Sequence, residues 1–233
     1  MIDNFELIKP LLEFPNDDIY YHLQILRRGK DHPELPAANR VIKAYFICSL
    51  ESLDYVEDEI KKLCEFFGAR AYINLAPKSI KKTTMLQLKY LAERAYIGDY
   101  KKIWKSWNTC AGEIKGEEPR WVVDVDNCDF RKGLDEIETF IDKECEPHTL
   151  LHNPLRVAKV IAEIPTKSGY HLITDPFNLQ QFKEKYPDID VHKNNPTLVY
   201  FRWEVEDEYK SLNDAYNVSA DFGRSAEYDP KYK

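Results

Sequence analysis

Between Arg40 and Pro77 the spacing of apolar residues changes period twice, and this change constrains the fold more than any other feature of the chain. RVIKAYFIC, from Arg40 to Cys48, is β-branched and aromatic over most of its length and reads as a strand. Val56, Ile60, Leu63, Cys64 and Phe67 then recur at steps of three and four, the stripe of an amphipathic helix, with Gly68 placed to cap its C-terminus. ARAYINLAP, from Ala69, returns to strand character and ends at Pro77. A helical bundle does not produce such an alternation; an α/β or α+β domain does.

The alternation continues along the chain. Met85, Leu88, Leu91, Ala92 and Ala95 mark a long helix, with the stripe at 85, 88 and 92 expected to face the core. Residues 107–120 read as a polar loop, RWVVDVDN as a third strand, and Leu134, Ile137, Phe140 and Ile141 as the stripe of the helix after it. RVAKVIAEIPT, SGYHLIT and PTLVYFRW are further strands, with a short helix from Leu179 to Tyr186 between the last two. DDIYYHLQILRR, residues 17–28, fits either a capped helix or a strand. Residues 204–233 are polar and acidic and read as a mobile tail. The expected architecture is one α/β domain over residues 1–203 on a mixed sheet. Its N-terminal αβ portion (1–106) packs on a half (119–203) that carries carboxylates.

Charge narrows the function classes. The chain has 40 Asp plus Glu against 33 Lys plus Arg, a net charge of −7, which excludes a protein that coats nucleic acid by bulk charge and leaves a local basic groove open. A mean hydropathy of −0.56 with 31% charged residues describes a folded chain with a charge-dense surface. The five cysteines form no CxxC pair, and the N-terminus carries acids where a secretory signal has Lys or Arg, so reduced thiols and a cytoplasmic location are expected. No apolar run approaches the ~20 residues of a bilayer span, so no membrane partner is expected.

The sharpest local feature is Trp121-Val-Val-Asp-Val-Asp126. Side chains alternate on a strand, so Asp124 and Asp126 share a face with Cα atoms about 6.5 to 7 Å apart, suited to holding divalent cations beside a phosphate. The plainer reading is that one Asp caps the following helix and the other is solvated. An EF-hand loop does not fit, because Cys128 and Asp129 stand where it needs an oxygen ligand and a glycine. In Ile164-Pro-Thr-Lys-Ser-Gly-Tyr-His171, Lys167, Ser168 and Gly169 have the outline of a phosphate-binding turn ahead of His171, and equally of an ordinary hairpin before a core histidine. Asp188-Ile-Asp190 is a polar turn entering a strand, or a source of a third carboxylate.

The order of these three features resembles the archaeo-eukaryotic primase superfamily, the primases and primase-polymerases. The family's first motif, a strand ending in Asp-x-Asp, is matched by Asp124 and Asp126. Its second, a small residue, any residue and His, is matched about 45 residues on by Gly169-Tyr170-His171. Its third, a hydrophobic residue then Asp, falls on Ile189-Asp190, and VHKNNPTLVY after it is similar to a stretch of eukaryote-like primase-polymerases. The resemblance covers roughly residues 119–203. It departs in two places: the usual Ser stands one place early, at Ser168, and Pro196, Thr197 and Leu198 replace arginines that contact nucleotide.

The resemblance implies an RRM-like catalytic core and a metal-dependent nucleotidyltransferase acting on a nucleoside triphosphate and a single-stranded or primed DNA or RNA template. Asp124, Asp126 and Asp190 would hold two Mg²⁺ or Mn²⁺ ions, and Lys167, Ser168, Gly169 and His171 would bind the nucleotide. The compact size would suit a phage, plasmid or small replication operon, with replication proteins as partners. Two alternatives stand beside it: a relative that binds nucleotide or nucleic acid without turnover, and a two-metal phosphodiesterase or nuclease. Arg70 and Lys78 flank a strand and face template or triphosphate, or else are solvated edge charges. Arg27, Arg28 and Lys30 form a small basic cluster. Cys145, His148 and His152, with Cys128 upstream, have the residue types of a zinc site but an incomplete spacing, and zinc is not expected.

Overall fold

Two antiparallel sheets carry the chain, in place of the one mixed sheet expected from sequence. The computed structural model describes residues 1–31, 40–101, 103–126, 131–146, 158–194 and 196–202, with backbone alone at Arg131 and Lys132. Its strands are β1 (Ile2–Asp3), β2 (Ile19–Arg27), β3 (Arg40–Ile47), β4 (Arg70–Ser79), β5 (Trp121–Asp126), β6 (Val160–Pro165), β7 (Gly169–Thr174), β8 (Asp190–His192) and β9 (Thr197–Phe201). The helices are α1 (Phe5–Ile8), α2 (Leu50–Phe67), α3 (Ile80–Ile97), α4 (Ser106–Glu113), α5 (Arg131–Thr139) and α6 (Leu179–Lys185). The acidic tail, Cys128, His148 and His152 lie outside the described residues. None of the described helices is long and apolar enough to cross a membrane.

The first sheet has the order β1-β9-β4-β2-β3. The segment whose sequence fitted helix or strand is β2, and it explains the absence of parallel pairing. β3, α2 and β4 form a right-sized crossover, but β2 lies between the two strands and pairs antiparallel with both. α2 begins at a reciprocal cap between Ser49 and Ser52 and ends where Gly68 turns left-handed, φ 55°. Its buried residues Leu53, Ile60, Cys64 and Phe67 pack on Tyr21, Leu23 and Ile25 of β2 and Ala71, Ile73 and Leu75 of β4.

The second sheet has the order β6-β7-β5-β8. With α5 between β5 and β6 and α6 between β7 and β8, the chain runs βαββαβ, a split βαβ arrangement. Trp121, Val123 and Val125 of β5 point to one face and pack with Leu134, Ile137, Phe177 and Phe182 beneath α5 and α6. Val122, from the opposite face, joins Ile164 and Ile173 in the core shared with the first sheet. β9, although late in the chain, pairs between β1 and β4 and so ties the two sheets together.

Two further expectations are corrected. Residues 107–120 are not a loop throughout: α4 occupies Ser106–Glu113 and buries Cys110 and Ala111. The stripe at Met85, Leu88 and Ala92 does not face the core; these residues are exposed. The inner side of α3 is polar instead, with Thr83 hydrogen-bonded to Tyr20 at 2.9 Å and Gln87 donating to Ser106 of α4 at 2.9 Å. Polar groups buried with partners displace the apolar stripe outward.

Candidate active site

The helix-free face of the second sheet gathers the predicted residues because β5 lies at its centre. Asp124 stands in register with His171 of β7 on one side and Asp190 of β8 on the other. Directly opposed residues share a face, so the three form one row across three strands. Asp126, two residues on, is paired with Gly169. That glycine is required by close approach: a Cβ there would stand 2.0 Å from the Val125 carbonyl oxygen.

His171 is held at both ring nitrogens. Nδ1 is hydrogen-bonded to Thr197 Oγ1 at 2.9 Å, and Nε2 lies 3.5 Å from Asp124 Oδ1. Burial pushes its pKa below the ordinary histidine value, while the Asp124 charge opposes the shift. Asp190 is less committed to the row. Its carboxylate is largely exposed and lies 3.9 Å from Lys183 Nζ of α6. Among the described residues no three carboxylate, thiol or imidazole groups stand close enough together to enclose a cation.

Facing the carboxylates across a cleft is a set of cations from the first sheet, joined by Lys167 of the second. A cavity of about 70 Å³ is lined by Asp124, Asp126 and His171 together with Arg28, Lys30, Arg70, Lys167 and Ser168. A second cavity of about 330 Å³ continues it, sharing Arg28, Tyr72, Asp124 and His171 and adding Leu26, Val122, His192 and Pro196. Arg28 donates to Tyr72 Oη at 3.1 Å. Arg70 pairs with Asp31 at 2.5 Å and stacks on Phe201, 4.3 Å to the ring centroid. Its Nε and the second Asp31 oxygen are buried without a partner among the described residues.

Thr166, Lys167 and Ser168 form the β6–β7 hairpin turn, closed by Thr166 N–H donating to the Gly169 carbonyl at 2.8 Å. The hairpin reading holds, and the same turn also lines the cleft. Lys78 is corrected on both of its readings, because it is neither solvated nor in the cleft. It is 2% exposed and donates to the Ala111 carbonyl of α4, and burial pushes its pKa below the ordinary lysine value. Cys145 is buried under α5, and its three proposed zinc partners lie outside the described residues.

Sequence reasoning missed Tyr72, Thr197 and His192, and named Arg28 and Lys30 only as a weak basic cluster. The alternation of Arg70, Tyr72 and Asn74 against apolar Ala71, Ile73 and Leu75 was a signal for the first of these. Thr197 carried none, because its role depends on β9 reaching the other sheet. Comparison of the chain with family models, with curated proteins and with solved structures returned no match.

Proposed function

We propose that the chain is a metal-dependent nucleotidyltransferase of primase-polymerase type, built on an RRM-like core. The observation that carries this reading is that His171, Asp124 and Asp126 line one cleft with Arg28, Lys30, Arg70 and Lys167, with Asp190 opposite Asp124 on the neighbouring strand. Carboxylates opposite a cation-rich wall match a polyphosphate whose charge is shared between metal ions and side chains. The βαββαβ order of the second sheet supports the core assignment.

The donor chemistry fits hard cations. Asp124 and Asp126 offer cleft-facing oxygens, and Asp190 joins them once its carboxylate turns from Lys183. Mg²⁺ or Mn²⁺ held there would supply Lewis acidity at the transferred phosphate and activate the attacking hydroxyl. The chain's own part is placement. Lys167, Arg28 and Lys30 bind phosphate oxygens, Ser168 offers a hydroxyl donor, and Arg70 adds its charge to the same wall. His171, fixed by Thr197, keeps its ring aligned with Asp124 and the phosphate wall.

Labelled-nucleotide incorporation on a primed template with Mg²⁺ and then Mn²⁺ tests the proposal. Extension by the wild type that is lost in a folded Asp124→Asn, Asp126→Asn double variant supports it. Template degradation dependent on the same aspartates would move the assignment to a nuclease. The turn of Asp190 toward Lys183 favours, as a second reading, a nucleotide-binding relative without turnover; nucleoside triphosphate binding with neither extension nor degradation is its signature.

A further inference from the structure

We propose that α3 and the turn leading into α4 form an arm that binds single-stranded nucleic acid, separate from the carboxylate cleft. Residues 80–106 contain seven Lys or Arg against two Asp or Glu, a net charge of +5 within a chain of −7. The same segment holds three of the four strongly exposed aromatic side chains among the described residues: Tyr96 is 93% exposed, Tyr100 61% and Trp104 92%, while the fourth, Tyr55, stands alone on α2. These three recur every four residues, with Lys101 and Lys105 set between and beside them. Among the described residues no carboxylate lies within ion-pairing distance of Lys101 or Lys105, so their charge is available to a polyanion.

Exposed rings interleaved with lysine ammonium groups match one chemistry closely. Bases that are not stacked in a duplex present π-faces to the rings, and their phosphates neutralise the lysines. A duplex hides those faces, so the preference is for a single strand. An acidic protein partner also answers the charge, and it is the competing outcome of the test below. Met85 and Leu88, the aliphatic part of α3, lie further along the helix and make a control for that case.

Placement supports the same occupant. α4 packs over Tyr20 and Lys78 on the face of the first sheet whose other end, at Tyr72, lines the cleft. β4 runs from Arg70 at the cleft to Ser79 at the start of α3, a span of about 30 Å that one strand of nucleic acid can bridge. The observations on the arm do not depend on the catalytic reading.

The test is fluorescence anisotropy of a labelled oligothymidylate of about 20 nucleotides and of a duplex of the same length, titrated with the full chain. The wild type is expected to bind the single strand more tightly than the duplex. A Tyr96→Ala, Trp104→Ala variant is expected to weaken binding at least about tenfold, and a Lys101→Glu, Lys105→Glu variant to weaken it and lower its salt dependence. A Met85→Ser, Leu88→Ser variant is expected to bind as the wild type does. All the arm positions are exposed, so circular dichroism matching the wild type establishes folding in each case. The proposal is overturned by wild-type affinity in both arm variants. It is also overturned by absence of oligonucleotide binding, or by an acidic peptide binding the arm in its place; none of these results bears on nucleotide incorporation.

Discussion

His22 allows a quantitative test of burial in the first sheet. Its ring is 6% exposed, stacks on Phe46 at 5.3 Å between centroids, and leaves Nε2 buried without a partner among the described residues. Burial, assisted by the Lys78 charge, lowers its pKa from 6.5 to about 4. Between those two values the unfolded chain binds a proton that the folded chain does not, so stability falls as pH falls. At ~1.4 kcal/mol per tenfold change in proton affinity, the loss reaches roughly 3 kcal/mol near pH 4. A His22→Leu variant keeps the apolar volume, removes the unpaired nitrogen, and is expected to match the wild type at pH 7.5 within about 1 kcal/mol. Urea unfolding of both proteins at pH 7.5 and pH 4 measures the difference, since every other titrating group cancels between them. The variant is expected to be more stable than the wild type by roughly 3 kcal/mol at the lower pH. Equal stability losses in the two proteins on acidification would refute the reasoning.

Three further outcomes follow from particular contacts. Gly169→Ala forces β7 away from β5 at the Asp126 pair, and is expected to cost about 2 to 4 kcal/mol by chemical denaturation and to weaken nucleotide binding in the cleft. Glu138, whose pKa is raised to about 7 by burial and then by the Glu163 charge, keeps its proton in the folded chain over a range where the unfolded chain has released it. Stability therefore falls as pH rises from 4.5 to 7, and Glu138→Gln is expected to narrow the difference in Tm between pH 5 and pH 8. Lys78→Ala removes the donor to the Ala111 carbonyl and empties a buried site, so it is expected to destabilise the fold by about 2 to 4 kcal/mol; an unchanged Tm would place that lysine at the surface.

What the sequence determined by itself was local. The periods of α2 and α5, the cap at Gly68, the strand character of β3, β4, β5, β7 and β9, and the shared face of Asp124 and Asp126 all follow from neighbours a few residues apart. Such features are set by backbone geometry and by which side chains can share one face, and they need no knowledge of distant partners. Grouping His171 and Asp190 with those aspartates came from the family resemblance, not from local pattern.

Tertiary structure decided the rest. β2 had an ambiguous period because nearly every residue in it is buried on both faces, and only its insertion between β3 and β4 makes it a strand. The apolar stripe of α3 was outvoted by Thr83 and Gln87, whose hydrogen-bond partners Tyr20 and Ser106 come from other elements. Lys78 and Arg70 have similar sequence surroundings and opposite fates, one sealed beneath α4 and the other beside the cleft, because they stand at opposite ends of β4. Most of the cation wall facing the carboxylates, Arg28, Lys30 and Arg70, comes from the first sheet, far earlier in the chain than Asp124. It exists because β9 carries the chain from the second sheet into the first, a long-range pairing that no local pattern encodes.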